Sequence, residues 1–311
     1  ELSSPNPADG PFLLRWGNRE PPDADKVPFP PRWLIDGDPC CFKAGATLRL
    51  SLKQDAPDPN YGWIVRWGVG YLTLVSNVTG EVLMFYPDSP DLPANQPYDF
   101  GPLVEWIEYA SLELAVYVEF EKGIGFDDFH GFVDEIFIVL DKPKPPMDPA
   151  WVNVLRISCV WARGAKTWKI AADMLRNGVF NNCQYEGFIL FHHFEGWQDT
   201  EIGRETTEET FHLKAFLSQP EPRMGNCNAL TNFLCCLITS VGINAIVQRT
   251  NRVILENGNK VGRWTFRTKL IRPANWLKDG YGQWGYHQFV LIEIEGNQVW
   301  DGNFIFKDPL A

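Results

Sequence analysis

Apolar positions recur along this chain with two different periods, and the change from one to the other divides it. In residues 112–120 every second side chain is apolar (Leu112, Leu114, Val116, Val118, Phe120), the period of a strand with one buried face. Residues 63–75 form an aromatic and β-branched run. Asn77 to Gly80 supply turn chemistry, and residues 81–86 read as a second strand, so this stretch predicts a hairpin. Shorter alternating pieces lie at 47–52 and 135–140, and residues 1–60 are rich in Pro, Gly and Asp around fragments such as Phe12-Leu13-Leu14. Strands joined by turns, with no convincing helix, predict an antiparallel β-sandwich over residues 1–145.

Lys142-Pro143-Lys144-Pro145-Pro146-Met147-Asp148-Pro149 then places four prolines in eight residues. Such a segment continues neither a sheet nor a helix and favours a stiff connector, which sets the expected domain boundary, with a second, α+β domain over 150–311. Beyond it the period lengthens. Ile170, Ala171, Met174, Leu175 and Val179 mark a helix that Thr167 can cap. Leu230, Phe233, Leu234, Leu237, Ile238 and Val241 mark a more strongly amphipathic one, with Asn226 as N-cap and Gly242 as stop. Strands are expected at 185–191, 246–250, 253–255, 264–271, 288–294 and 298–300, the last two joined by a Glu295-Gly296-Asn297 turn.

A chain of 311 residues that is 45% hydrophobic and 22% charged can bury more than one core, which agrees with two domains. No apolar run approaches the roughly 18 residues of a membrane span. The start at Glu1 carries neither an initiator Met nor a signal-like segment, so the expectation is a soluble chain with a trimmed N-terminus. Compartment and oligomeric state are not legible. Residues 1–150 hold 24 acidic against 11 basic side chains, net −13, while the remainder holds 15 against 17, net +2. An acidic half without a basic tract excludes nucleic acid and anionic membrane as expected partners. The seven cysteines form no regular framework, contain no C-x-x-C and have no zinc-type spacing with His, so no structural metal is expected. The sequon Asn77-Val78-Thr79 matters only in a eukaryotic secretory protein.

The candidate chemistry begins at Gly225-Asn226-Cys227-Asn228, which sets a cysteine in the first turn of the second helix. At about 100° per residue Cys227 lies near the middle of the apolar stripe, with Cys235 on its flank and Cys236 nearly opposite. Helix N-terminal N–H groups stabilise a thiolate and lower the thiol pKa from roughly 8.5. A small cysteine filling the core at a helix start is the plainer reading. Among His130, His192, His193, His212 and His287, the last is best placed as a base, because it begins an alternating strand and shares a face with Phe289 and Leu291. Fourteen residues later Asp301 ends the next strand, where it can orient the imidazole. A strand histidine without a catalytic role is the alternative. His192-His193 alternate across a strand and cannot easily share a metal, and Asp127-Asp128 reads as a solvated turn.

The order of helix-start Cys, strand-start His and strand-end Asp resembles the transglutaminase-like superfamily of papain-like cysteine acyltransferases. Gly242-Ile243-Asn244-Ala245 stands where that family has a Gly-Ile-Pro-Ala-like turn, and Tyr286-His287-Gln288-Phe289-Val290 and Val299-Trp300-Asp301 match the His and Asp strands. Residues 154–165, with Cys159, Trp161 and Ala162, are similar to the usual approach to that domain. The resemblance covers about residues 150–311. It implies acyl transfer through a Cys227-His287-Asp301 triad and a thioester on a peptide, protein or carboxamide substrate, with no dissociable cofactor. The outcome is a cysteine protease, an amidase or a transglutaminase.

The family commonly has Pro-Thr after the Asp, where this chain has Gly302-Asn303. A two-residue turn at Gly296-Asn297 pairs Asp301 with Ile292, on the face opposite His287. An odd-membered loop centred on Glu295 instead sets Asp301 opposite Phe289 and Asn303 opposite His287, which makes Asn303 a substitute for the third member. Gln219, Trp197 and Gln198 are the candidates for an oxyanion side chain. Two other readings stand beside this one. The domain is an inactive scaffold serving as an interaction module, or the sandwich binds carbohydrate through Trp63, Trp67 and Trp106.

Overall fold

The structure is a computed structural model that describes residues 2–15, 36–37, 39–52, 54, 56–87, 91–122, 127–185, 211, 213–225, 227–256, 259–261, 284–292 and 298–300. The expected strand at 264–271 and most of that at 185–191 lie outside these residues. The chain groups into two compact units, residues 1–171 with 240–243, and residues 172–239 with 244–311. Residues 150–171, which follow the prolines, group with the strands that precede them. No helix among the described residues is long and apolar enough to cross a membrane.

In the first unit the expected hairpin is present as Ile64–Ser76 and Val82–Pro87, and the alternating run lies within Glu108–Phe120, paired with Ile64–Ser76 on one side and Asp127–Val139 on the other. Leu112, Leu114, Val116, Val118 and Phe120 are all buried. Each such side chain contributes about 1.5–3 kcal/mol through removal from water. In Ile64–Ser76 the buried positions are odd at Trp67 and Val69 but even at Leu72 and Leu74. The pairing explains the change: Ala115 faces Tyr71 while Val116 faces Val69, so Gly70 is an extra residue in a bulge. One inserted residue reverses the face of everything beyond it.

The large sheet is not purely antiparallel. Asp127–Val139 pairs in parallel with Asp36–Gly37 and Cys40–Lys43. A second sheet of Leu2–Ser3, Thr47–Leu50 and Tyr98–Pro102 is antiparallel. Leu48, Leu50 and Phe100 from it join Trp67, Leu72, Leu114 and Ile136 of the large sheet in one buried cluster.

Three kinds of contact hold the segment after the prolines to this unit. Ala150–Trp151 pairs in parallel with Leu14–Arg15. In the helix Val152–Trp161, Arg156 makes two hydrogen bonds to Glu135, at 2.5 and 2.6 Å. Tyr109 donates to the same carboxylate at 2.7 Å, and burial together with this bond pushes its phenol up to about 12. Beyond the helix, Arg163 donates to the fully buried Glu108 at 2.9 Å, a carboxylate that also accepts from Ser76 and Trp106. Breaking such a buried pair by removing one partner costs about 3–5 kcal/mol.

The helix Trp168–Asn182 begins after Thr167, whose hydroxyl accepts from the Ile170 N–H at 3.4 Å, as the capping pattern predicts. The second unit further contains the helix Leu213–Leu217, the helix Cys227–Ser240 up to Thr239, and a four-stranded sheet in the order Asn259–Val261, Ala245–Glu256, Trp284–Ile292, Gln298–Trp300. Among the described residues no strand from before Asp141 enters that sheet. The protein is thus a mixed α+β chain of several sheets and few helices.

Candidate active site

The helix that begins at Cys227 is approached through a short strand, Arg223–Gly225, which pairs in parallel with Cys183–Tyr185. Two features secure this approach. Gly225 is buried, and a Cβ placed on it would lie 2.9 Å from Ala229 Cβ and 3.3 Å from both Leu230 Cδ2 and Phe216 Cε2. Glycine therefore lets the first helical turn sit directly on the strand end. Nearby, Phe211, Phe216 and Phe233 pack in sequence with tilted rings, their centroids 5.6 and 4.8 Å apart. The second feature is Gln219, whose carboxamide oxygen accepts from Met224 N–H at 2.9 Å while its nitrogen donates to Met224 C=O at 3.2 Å. Neither was legible as a structural element; the signal present in the sequence was a glycine two residues before the cysteine.

Leu230, Phe233, Leu234, Leu237, Ile238 and Val241 are buried as the stripe predicts. The helix is nonetheless not amphipathic in its environment. Thr231, Cys235, Cys236, Thr239 and Ser240 are buried too, and among the described side chains of the helix Asn228 and Asn232 alone are half-buried. A helix apolar or small-polar all round, with no charged residue from Cys227 to Ser240, belongs in an interior. Two of its polar side chains bond within the helix. Thr239 donates to Cys235 C=O at 2.8 Å, and Asn232 donates to Asn228 through both the main-chain oxygen and the side-chain oxygen.

At the other end Gly242 adopts φ +89°, the left-handed stop expected there. The chain then enters Ala245–Glu256, to which Cys235 Sγ adds a 3.6 Å contact at the Ala245 carbonyl. Trp284–Ile292 pairs with this strand in antiparallel register, Ala245 opposite Ile292 and Thr250 opposite His287. The strand starts at Trp284, so His287 is its fourth residue rather than its first. Val290 and Ile292 are fully buried while Phe289 and Leu291 are half-buried, which is the alternation expected of them. Gln298–Trp300 continues the sheet with Ile292 opposite Gln298, Leu291 opposite Val299 and Val290 opposite Trp300. That register belongs to a loop centred on residue 295, not to a two-residue turn at 296–297.

The described residues thus include the helix start at Cys227 and the strand position of His287, whose side chains lie outside the description. Asp301, Asn303, Trp197 and Gln198 lie outside it altogether. The other six cysteines are buried thiols. Burial pushes Cys41 and Cys159 well above the ordinary thiol range, and Cys183 up to about 12. Of the three tryptophans weighed for stacking, Trp67 is a core residue with its N–H donated to Gln96 C=O at 3.1 Å. Trp63 is 43% exposed, and Trp106 donates to Glu108 beneath the Lys166 ammonium.

No protein-family model matches the chain, and no curated protein matches it. Among solved structures it is similar to the crystal structure of red sea bream transglutaminase, at 10% sequence identity and a TM-score of 0.41, over 86% of this chain and 50% of that one. The chain therefore spans about half the length of the transglutaminase it matches.

Proposed function

We propose that this chain is a transglutaminase-like thiol acyltransferase or amidase in which Cys227 is the nucleophile, His287 the base and Asp301 the residue that orients it. The N-terminal sheets are read as a β-sandwich carrying no part of the chemistry, supported by the apolar cluster that both sheets line. The observation that carries the catalytic reading is the pairing of Trp284–Ile292 with Gln298–Trp300. This is the register for which the sequence spacing sets Asp301 opposite Phe289 and Asn303 opposite His287, the side on which an orienting group is useful. The helix N-terminus supports a thiolate at Cys227.

In the proposed reaction the Cys227 sulfur attacks a carboxamide or peptide carbonyl, and the resulting tetrahedral intermediate expels the amine as His287 delivers its proton. This leaves a thioester. His287 then takes a proton from the acceptor, whose oxygen or nitrogen attacks the thioester carbonyl and releases the Cys227 thiolate. Water as acceptor gives hydrolysis, and an amine gives a crosslink.

Iodoacetamide labelling at neutral pH, read peptide by peptide, tests the reading. Because the other six cysteines are buried, the expected result is rapid modification confined to Cys227, slowed in His287→Ala. Slow labelling spread over several cysteines would remove the nucleophile and leave an inactive scaffold. Asn303→Ala decides the third member: if it impairs acyl turnover more than Asp301→Ala, Asn303 orients the imidazole.

A further inference from the structure

Gln219 stands eight residues before Cys227, the kind of place from which an oxyanion donor could come. Its surroundings give it other work. Within a strand the N–H and C=O of one residue point to the same side, and residues on either side of it point the other way. Met224 is the middle residue of Arg223–Gly225 and stands opposite Gln184 in the parallel ladder, its two neighbours opposite Cys183 and Tyr185. Its own N–H and C=O are met by the two ends of the Gln219 carboxamide, at 2.9 and 3.2 Å. Gln219 therefore acts as a one-residue neighbouring strand. Two simultaneous bonds also fix which end of the amide is oxygen and which is nitrogen.

We propose that Gln219, together with Gly225, is a positioning residue for Cys227, not an oxyanion donor. This rests on the reading of Cys227 as nucleophile. Gln219 holds Met224, three residues before the cysteine, and Gly225 lets the first turn, through Ala229 and Leu230, seat against the strand that Met224 occupies. The direction of the first helical N–H groups, and hence the thiolate population, depends on that seat.

Alkylation and acyl transfer separate the two roles, because alkylation by iodoacetamide passes through no oxyanion. The measurements are the pH profile of Cys227 alkylation and p-nitrophenolate release from p-nitrophenyl acetate, on the full chain with folding checked by circular dichroism. Gln219→Ala is expected to raise the alkylation midpoint by about one pH unit, slowing alkylation below the midpoint about tenfold, and to slow ester turnover in parallel. Gly225→Ala, which displaces the first turn without touching Gln219, is expected to move the same midpoint, and it serves alone if Gln219→Ala does not fold. A folded Gln219→Ala with an unchanged alkylation profile and reduced turnover makes Gln219 an oxyanion donor and overturns the proposal. Unchanged values of both overturn it as well, as does a folded Gly225→Ala with the wild-type profile. A wild-type chain without selective Cys227 alkylation instead removes the nucleophile itself, and with it any positioning role.

Discussion

The two ends of the Cys227–Ser240 helix each rely on a glycine at close approach, but for different reasons. Gly242 combines φ +89° with a main-chain neighbour: a Cβ there would lie 2.2 Å from Asp141 O, 2.5 Å from its C and 2.6 Å from its N. Around it Leu140 N–H donates to Val241 C=O at 3.2 Å, and Ser240 meets Ser158 at 2.8 Å between buried hydroxyls. The Ser158 hydroxyl also reaches Val154 C=O at 2.9 Å, and either hydroxyl of the pair can be the donor between them. Gly225 has no left-handed φ, and its neighbours are side-chain atoms of Ala229, Leu230 and Phe216. Leu230 and Phe216 can turn about their side-chain bonds and Ala229 Cβ can move with the first turn, whereas the Asp141 main chain lies beside the Leu140–Val241 hydrogen bond and is held in place. The helix thus has a rigid end at Gly242 and an adjustable one beside Cys227, the end at which the proposed nucleophile stands.

The widest test of this contrast is to remove the rigid seat. Residues 150–311 expressed alone lack Asp141, Glu108 and Glu135, so the fragment is expected to lose its cooperative urea transition. A cooperative transition from it would support a domain boundary at 142–149 instead. Next, Gly242→Ala should destabilise the full chain by more than about 3 kcal/mol in urea denaturation, since it suffers both a left-handed φ and a main-chain clash. A loss under about 1 kcal/mol would show that Asp141 yields.

Gly225→Ala should cost less, about 1–2 kcal/mol, as overpacking relieved by a small shift of the first turn does. Equal losses at the two glycines would erase the contrast. Ser240→Ala removes one hydroxyl of the buried Ser158–Ser240 pair and should cost about 1 kcal/mol. The smallest effect belongs to the Asp141 side chain. Burial works to raise its carboxyl, but the Lys144 hydrogen bond, the Lys142 N–H and the charges of Lys144 and Lys43 together hold it below the usual carboxylate range. A depressed carboxylate stabilises the fold above its unfolded pKa of 3.8, and that contribution is lost as pH falls through the folded value. The side chain is 46% exposed, so Asp141→Asn should change stability at pH 7 by less than about 1 kcal/mol and flatten the decline only below pH 3.8. A large effect at pH 7 would mean that the side chain, and not only the main chain, forms the seat.

Local periodicity was legible because it is a property of neighbours two, three or four residues apart. The burial of alternate residues from Leu112 to Phe120, the Thr167 cap, the apolar stripe from Leu230 to Val241 and the stop at Gly242 all follow from such spacings. Packing between distant segments decided the rest. No spacing announces that Asp127–Val139 takes parallel partners from Asp36–Gly37 and Cys40–Lys43, since parallel pairing joins segments remote in sequence. The bulge at Gly70 appears only against its partner strand, and the all-round burial of the Cys227 helix only once neighbours enclose it. For the candidate site, the order of Cys227, His287 and Asp301 was in the sequence. The hairpin register, which both proposed turns would satisfy equally well by composition, is decided only by the pairing of the two strands, Ile292 opposite Gln298 and Val290 opposite Trp300, since a slip of one residue would turn the whole strand to its other face.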